Sequence, residues 1–186
     1  GKHPVVITFD DGAISQFRLI EEDDGSFLID EQSAVGILYD FYLKHPDFGF
    51  EATFFLNGNI PFGQNNLAQD KLDFLSNNGL TIGNHTISHI NFTEMGTNGE
   101  ILNSVYENES YYMNKYNIEL GKILAVPFGV YPSDFSAIEE LDYYTFKVGW
   151  KPEVSIFSSS FNPYKINRVQ NGNEDFQFEY WIDHLI

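Results

Sequence analysis

Two aspartates in "VVITFDDG" (residues 5–12) and two histidines in "GNHTISH" (residues 83–89) have the types and spacing to do chemistry together. His85 and His89 stand four apart, which on a helical turn brings two imidazoles to one side. That is a common way to offer two neutral nitrogens to one metal ion. An aspartate at another strand end would complete a two-histidine, one-carboxylate set that leaves metal positions open for water and substrate. The chain carries its own control, because "EEDDG" (residues 21–25) repeats Asp-Asp-Gly in a different setting. Asp-Gly after a β-like run is an ordinary turn signal, so either copy alone reads as a turn. His3, His45 and His184 have no such company and read as surface or structural residues.

Strands and helices must position these groups. "HPVVITF" reads as a buried strand stopped by Asp-Asp-Gly, and "FRLIEEDDGSFLID" as a hairpin turning at Asp24–Gly25. "SAVGILYDFYLKH" has helical spacing, Ser33 as its N-cap and Pro46 just past its end. "EATFFLNG", "LTIGNH", "KILAVPFG" and "TFKVGW" read as further strands. Between them, "AQDKLDFLSNNG" is a helix closed by Gly79 and "GEILNSVYENESYYMNKYN" a longer one; Pro132 and Ser133 start a third in "SDFSAIEELDYY". "VSIFSSSFNPYKINRVQ" resists parsing, and the tail "FQFEYWIDHLI" suits a helix or a strand. Strands alternating with helices imply a parallel sheet or barrel, whose strand C-terminal ends carry the chemistry. Asp10, Asp11, His85 and Pro127–Gly129 all fall at such ends.

Composition narrows the partners. The chain has 186 residues, 42% of them hydrophobic, enough for one domain with a core. Twenty-seven acidic against ten basic residues give a formal charge of −17, which repels nucleic acid and anionic membranes. There is no cysteine, hence neither a disulfide framework nor a thiolate metal site. No apolar run approaches the roughly 20 residues that span a bilayer. No signal peptide is visible, and an upstream segment could have been cut away before Gly1.

"TFDDG", "EATFFLNG" and "GNHTISH" together resemble the polysaccharide deacetylases of carbohydrate esterase family 4, also called the NodB homology domain. The resemblance implies an α/β fold, a distorted (β/α) barrel, over residues 1–186 as a single domain. It implies one divalent metal ion, usually zinc, and removal of N- or O-acetyl groups from a polysaccharide or cell-wall glycan. By resemblance Asp11, His85 and His89 are the metal ligands and Asp10 is the general base on metal-bound water. "VPFG" resembles a third motif in which the backbone N–H of Phe128 helps hold the oxyanion, with Pro127 and Gly129 lining the substrate site. Trp150 stands near a family tryptophan that lines the acetyl pocket. An extracellular or cell-surface bacterial location follows from the same resemblance.

Two departures matter. The third motif usually has an arginine two residues before proline that pairs with the base, and Ala125 stands there instead. The fifth motif usually offers a histidine that protonates the leaving amine, whereas the corresponding region reads "KINRV" (residues 165–169). This pattern resembles a subgroup in which the acid lies upstream of the first motif. His3 cannot replace it, standing seven residues from Asp10 on one strand, roughly 23 Å away at about 3.3 Å per residue. The expectation is therefore a cleft with no histidine beyond His85 and His89, and weak or absent activity unless an upstream segment supplies the acid. A rival reading is a sugar-binding module of the same fold that has lost turnover. A metal phosphoesterase is disfavoured, because no arginine or lysine accompanies the metal motifs to clamp a phosphate.

Overall fold

The computed structural model describes residues 5–149, 152–170 and 178–184. Its main sheet has six parallel strands: β1 (Thr8–Asp10), β4 (Thr53–Leu56), β5 (Thr81–Asn84), β6 (Ile123–Ala125), β7 (Tyr144–Gly149) and β8 (Ile166–Val169). They lie in the order β1-β4-β5-β6-β7-β8, so β1 and β8 are the two edges of the curled sheet. Register aligns Asp10 with Phe55, Phe55 with Gly83, and Val148 with Arg168. This is the expected distorted (β/α) barrel.

The hairpin of β2 (Leu19–Glu21) and β3 (Phe27–Ile29) is set apart as a two-stranded sheet. At its tip the Gly25 N–H reaches the Glu22 carbonyl, and the exposed Asp24 carboxylate accepts the Ser26 N–H. Those bonds to Ser26 hold Asp24 below the usual carboxylate range. The second Asp-Asp-Gly is a turn.

Helix α1 (Ala34–Lys44) is capped by the Ser33 hydroxyl on the Gly36 N–H, as the sequence predicts. Helix α2 (Ala68–Asn77) and helix α3 (Asn98–Tyr116) follow; α3 opens on a reciprocal Thr97–Glu100 capping box and ends at Asn117 in the left-handed conformation. Helix α4 (Ser136–Leu141) begins later than Pro132–Ser133 suggest. The Asp134 carboxylate accepts the Ser136 N–H and makes a turn of the residues before it. The tail forms helix α5 (Phe178–His184).

The core has two parts. Phe54, Leu56, Leu72, Leu75, Tyr112 and their neighbours pack between the first strands and α1–α3. Leu124, Val126, Ile101, Val105, Ile138 and Leu141 pack between β6, α3 and α4. Burial of apolar area is the main stabilising contribution, and it makes the strand ends a firm platform.

Candidate active site

The C-terminal ends of β1, β5 and β6 converge. Asp11 follows β1 with φ +74°, and its carboxylate Oδ1 lies 3.5 Å from His85 Nε2 and 3.3 Å from His89 Nε2. Asp11, His85 and His89 can each offer one ligand atom, all within 4.8 Å of one another. Among the described residues no other such group of three occurs.

His-x-x-x-His does not lie on a helical turn. Residues 85–91 are a loop in which Thr86 (φ +63°) and His89 (φ +51°) take left-handed conformations. Folding back in this way brings the two imidazole centroids to 4.7 Å. A buried polar network fixes the loop. Asn84 Oδ1 accepts the Thr86 N–H and an Asn108 amide hydrogen, while the Asn84 amide donates to the Val105 carbonyl. The Thr86 hydroxyl then accepts the His89 N–H. Gly58 lies against this loop so closely that a Cβ there would sit 2.3 Å from the Ile87 carbonyl oxygen. Left-handed non-glycine residues cost about 1–3 kcal/mol each, and here they gather where side chains must be aimed.

The donor set fits a cation. His85 is 2% exposed, and its Nδ1–H donates to the Ala125 carbonyl at 2.8 Å, which leaves the Nε2 lone pair toward Asp11. Burial holds the His85 pKa below the ordinary imidazole value, an effect that outweighs the attraction of Asp10. With its pKa held down by burial, the ring is neutral at neutral pH, and an unprotonated Nε2 would face a carboxylate oxygen across 3.5 Å. Two acceptors so placed repel unless a positive charge lies between them. The Asn57 amide donates to the same Asp11 oxygen, at 3.3 Å.

Asp10 stands beside this group and is tied elsewhere. Arg168 of β8 donates from Nη1 to Asp10 Oδ1 and from Nη2 to Oδ2, both at 2.7 Å, and from Nη1 to the Thr8 hydroxyl at 3.0 Å. The Asp10 carbonyl accepts the Gln16 amide at 2.5 Å. Sequence reading missed Arg168 by searching "KINRV" for a histidine alone. The available signal was a charge sharing the inward face of a short strand with Ile166. An arginine therefore does reach the site, but both terminal nitrogens are engaged by Asp10 and not free to clamp a phosphate.

Pro127–Gly129 forms a tight turn after β6 in which Phe128 has φ +58°. Among the described residues nothing accepts the Phe128 N–H, and its ring is 63% exposed with its centroid 4.7 Å from that of His89. Gly129 packs on β7, where a Cβ would lie 3.2 Å from the Val148 carbonyl oxygen. Trp150 and His3 lie outside the described residues. His45 is the C-cap of α1, its ring against Phe41, at the end of the helix that leads into the start of β4. It is therefore remote from the strand C-terminal ends.

Residues 1–146 match the family described as polysaccharide deacetylase. No curated protein matches the chain in sequence. Among solved structures, the Streptococcus pyogenes deacetylase PplD in complex with acetate aligns over 96% of this chain and 68% of its own, with TM-score 0.64 and 17% identity. The family 4 carbohydrate esterase from Streptomyces lividans, also with acetate, aligns over 80% and 63%, with TM-score 0.53 and 18% identity. The Xyl-CE4 domain of a multidomain xylanase from the hindgut metagenome of Trinervitermes trinervoides aligns over 76% and 56%, with TM-score 0.50 and 20% identity. The chain thus spans less than two thirds of the length of the last two. At these identities the likeness is one of fold.

Proposed function

The chain belongs to the polysaccharide deacetylase family, and from that premise we propose that it hydrolyses N- or O-linked acetyl groups on a polysaccharide or cell-wall glycan. The observation that carries this reading is a carboxylate, Asp10, held next to a three-ligand group yet outside it. Asp11, His85 and His89 would hold one divalent ion, zinc by the fit of two imidazoles and a carboxylate. When bound, that ion supplies Lewis acidity toward a water and an acetyl carbonyl.

The protein's own residues do the rest. Asp10 accepts a proton from the attacking water as the C–O bond forms. The Phe128 N–H, which has no acceptor among the described residues, donates to the oxyanion of the tetrahedral intermediate. The exposed Phe128 ring offers an apolar face to a sugar. Collapse of the intermediate breaks the bond to the sugar nitrogen or oxygen and leaves acetate. A departing amine must also gain a proton.

The test is acetate release from a panel of acetylated chito-, peptidoglycan and xylo-oligosaccharides by zinc-loaded protein. Activity that is lost on chelation and in Asp10→Asn is the expected result. Hydrolysis that survives both would end the reading, and tight sugar binding without acetate release would favour the non-catalytic module.

A further inference from the structure

The Asp10 carboxylate is more constrained than a side chain at a strand end needs to be. Both oxygens are held by one guanidinium at 2.7 Å, the ion pair is mostly buried (Arg168 11% and Asp10 23% exposed), and the Arg168 carbon Cζ sits 5.3 Å from the Phe55 ring centroid. A two-pronged bond fixes the plane of a carboxylate as well as its place. Each carboxylate oxygen keeps a second lone pair, so one held by a single N–H can still receive a proton. Arginine stays charged and does not itself act as an acid, so the fork orients without competing.

The route of this contact across the fold matters equally. β1 and β8 are opposite edges of the sheet and share no backbone ladder. Arg168 bridges them, reaching both Thr8 and Asp10 from the far edge. Ala125, where the resemblance calls for an arginine, is fully buried, and only its carbonyl serves the site by accepting the His85 Nδ1–H.

We propose that Arg168 is the positioning residue of Asp10, supplied from the opposite sheet edge, and that it holds the base in place by clasping β8 to β1. The assignment rests on the deacetylase reading for what Asp10 does. It makes the chain's departure at position 125 a relocation of the arginine rather than a loss.

The test is a double-mutant cycle with zinc-loaded protein, on whichever acetylated oligosaccharide the panel identifies. Arg168→Lys and Arg168→Ala should lower kcat by about 10–100-fold, as loss of an outer-shell partner does, with KM little changed. Methylguanidine should restore part of the Arg168→Ala activity. The Asp10→Asn/Arg168→Ala double variant should be no slower than Asp10→Asn within about threefold, because residues acting as a unit are not additive. Losses that multiply, or an unchanged kcat in Arg168→Lys, would overturn the assignment. If Arg168→Ala does not fold, Arg168→Lys and its double with Asp10→Asn decide by the same criteria. If the unaltered protein releases no acetate from any substrate, the deacetylase reading fails separately. The crystal structure of Arg168→Lys then decides on positioning: an Asp10 carboxylate turned from its place supports it, and one unmoved overturns it.

Discussion

The chain contains Pro-Phe-Gly twice, at residues 61–63 and 127–129, and folds it the same way both times. Phe62 has φ +55° and Phe128 φ +58°, and each is followed by a left-handed glycine after a parallel strand. The surroundings differ. Phe62 buries its ring completely against Phe17 and Phe54, gives its N–H to the Gly12 carbonyl at 2.8 Å, and its carbonyl accepts the Lys71 ammonium. Phe128 leaves its ring 63% exposed and its N–H without an acceptor among the described residues. The same strained turn is a brace in one place and an open donor in the other. What separates them is the neighbour: Gly12 against the first, His89 against the second. Turn chemistry alone therefore does not mark a site; what singles out the second turn is an N–H unmet among the described residues and a histidine ring against its phenylalanine.

The largest expected effects lie on the Phe128 side of this comparison. Asp11→Ala should abolish zinc binding measured by calorimetry, because it removes one of the three side chains proposed to hold the ion. Asp10→Asn should retain the metal and lose about 10²–10⁴-fold in kcat, the usual contribution of a general base. Asp24→Asn, in the exposed Asp-Asp-Gly, should leave both unchanged. An Asp24→Asn variant as inactive as Asp10→Asn would break the distinction between turn and site.

Substitution of the two phenylalanines sharpens the contrast in stability. Phe62→Ala empties a fully buried position and should cost about 3–5 kcal/mol in urea unfolding. Phe128→Ala should stay within about 0.5 kcal/mol of the parent, as exposed positions do. Its effect should appear instead as a raised KM for oligosaccharide. Equal destabilisation by both would mean that the Phe128 ring is packing after all.

The same contrast explains what sequence could and could not reveal. The alternation of strands and helices through β7 was legible because those strands grow from short apolar runs and helices have stops such as Gly79, whereas β8, with Asn167 and Arg168 inside it, has no such run. That Asp11, His85 and His89 come together was legible from residue type, but the reason offered for it was wrong: a left-handed loop, not a helical turn, brings His85 to His89. Spacing of four is compatible with both. Arg168 was hidden because its partner lies 158 residues away across the sheet's open edges, and no local pattern records that closure. The start of α4 was misplaced because Asp134 caps a turn that Pro132 and Ser133 do not specify.

A smaller effect, read by pH, belongs to the lysine under the brace. Lys71 is fully buried, its ammonium 3.0 Å from the Phe62 carbonyl and 5.8 and 5.9 Å from the Phe17 and Phe62 ring centroids. Burial disfavours the charged form and lowers its pKa from 10.5 to about 8. In the unfolded chain the amine keeps its proton until about pH 10.4, so between the two values the unfolded state binds more protons than the folded one. Stability should then rise as pH climbs through this window, by on the order of 1 kcal/mol from pH 7 to 9. The neutral amine still donates to the Phe62 carbonyl, so deprotonation need not open the turn. Urea unfolding of the parent and of Lys71→Met at several pH values isolates this contribution, because the other titrating groups are common to both. The parent should gain stability relative to Lys71→Met as pH rises from 7 to 9. Parallel curves would mean that the ammonium is as well solvated under the Phe62 turn as in water, and that the brace is held by ring packing alone.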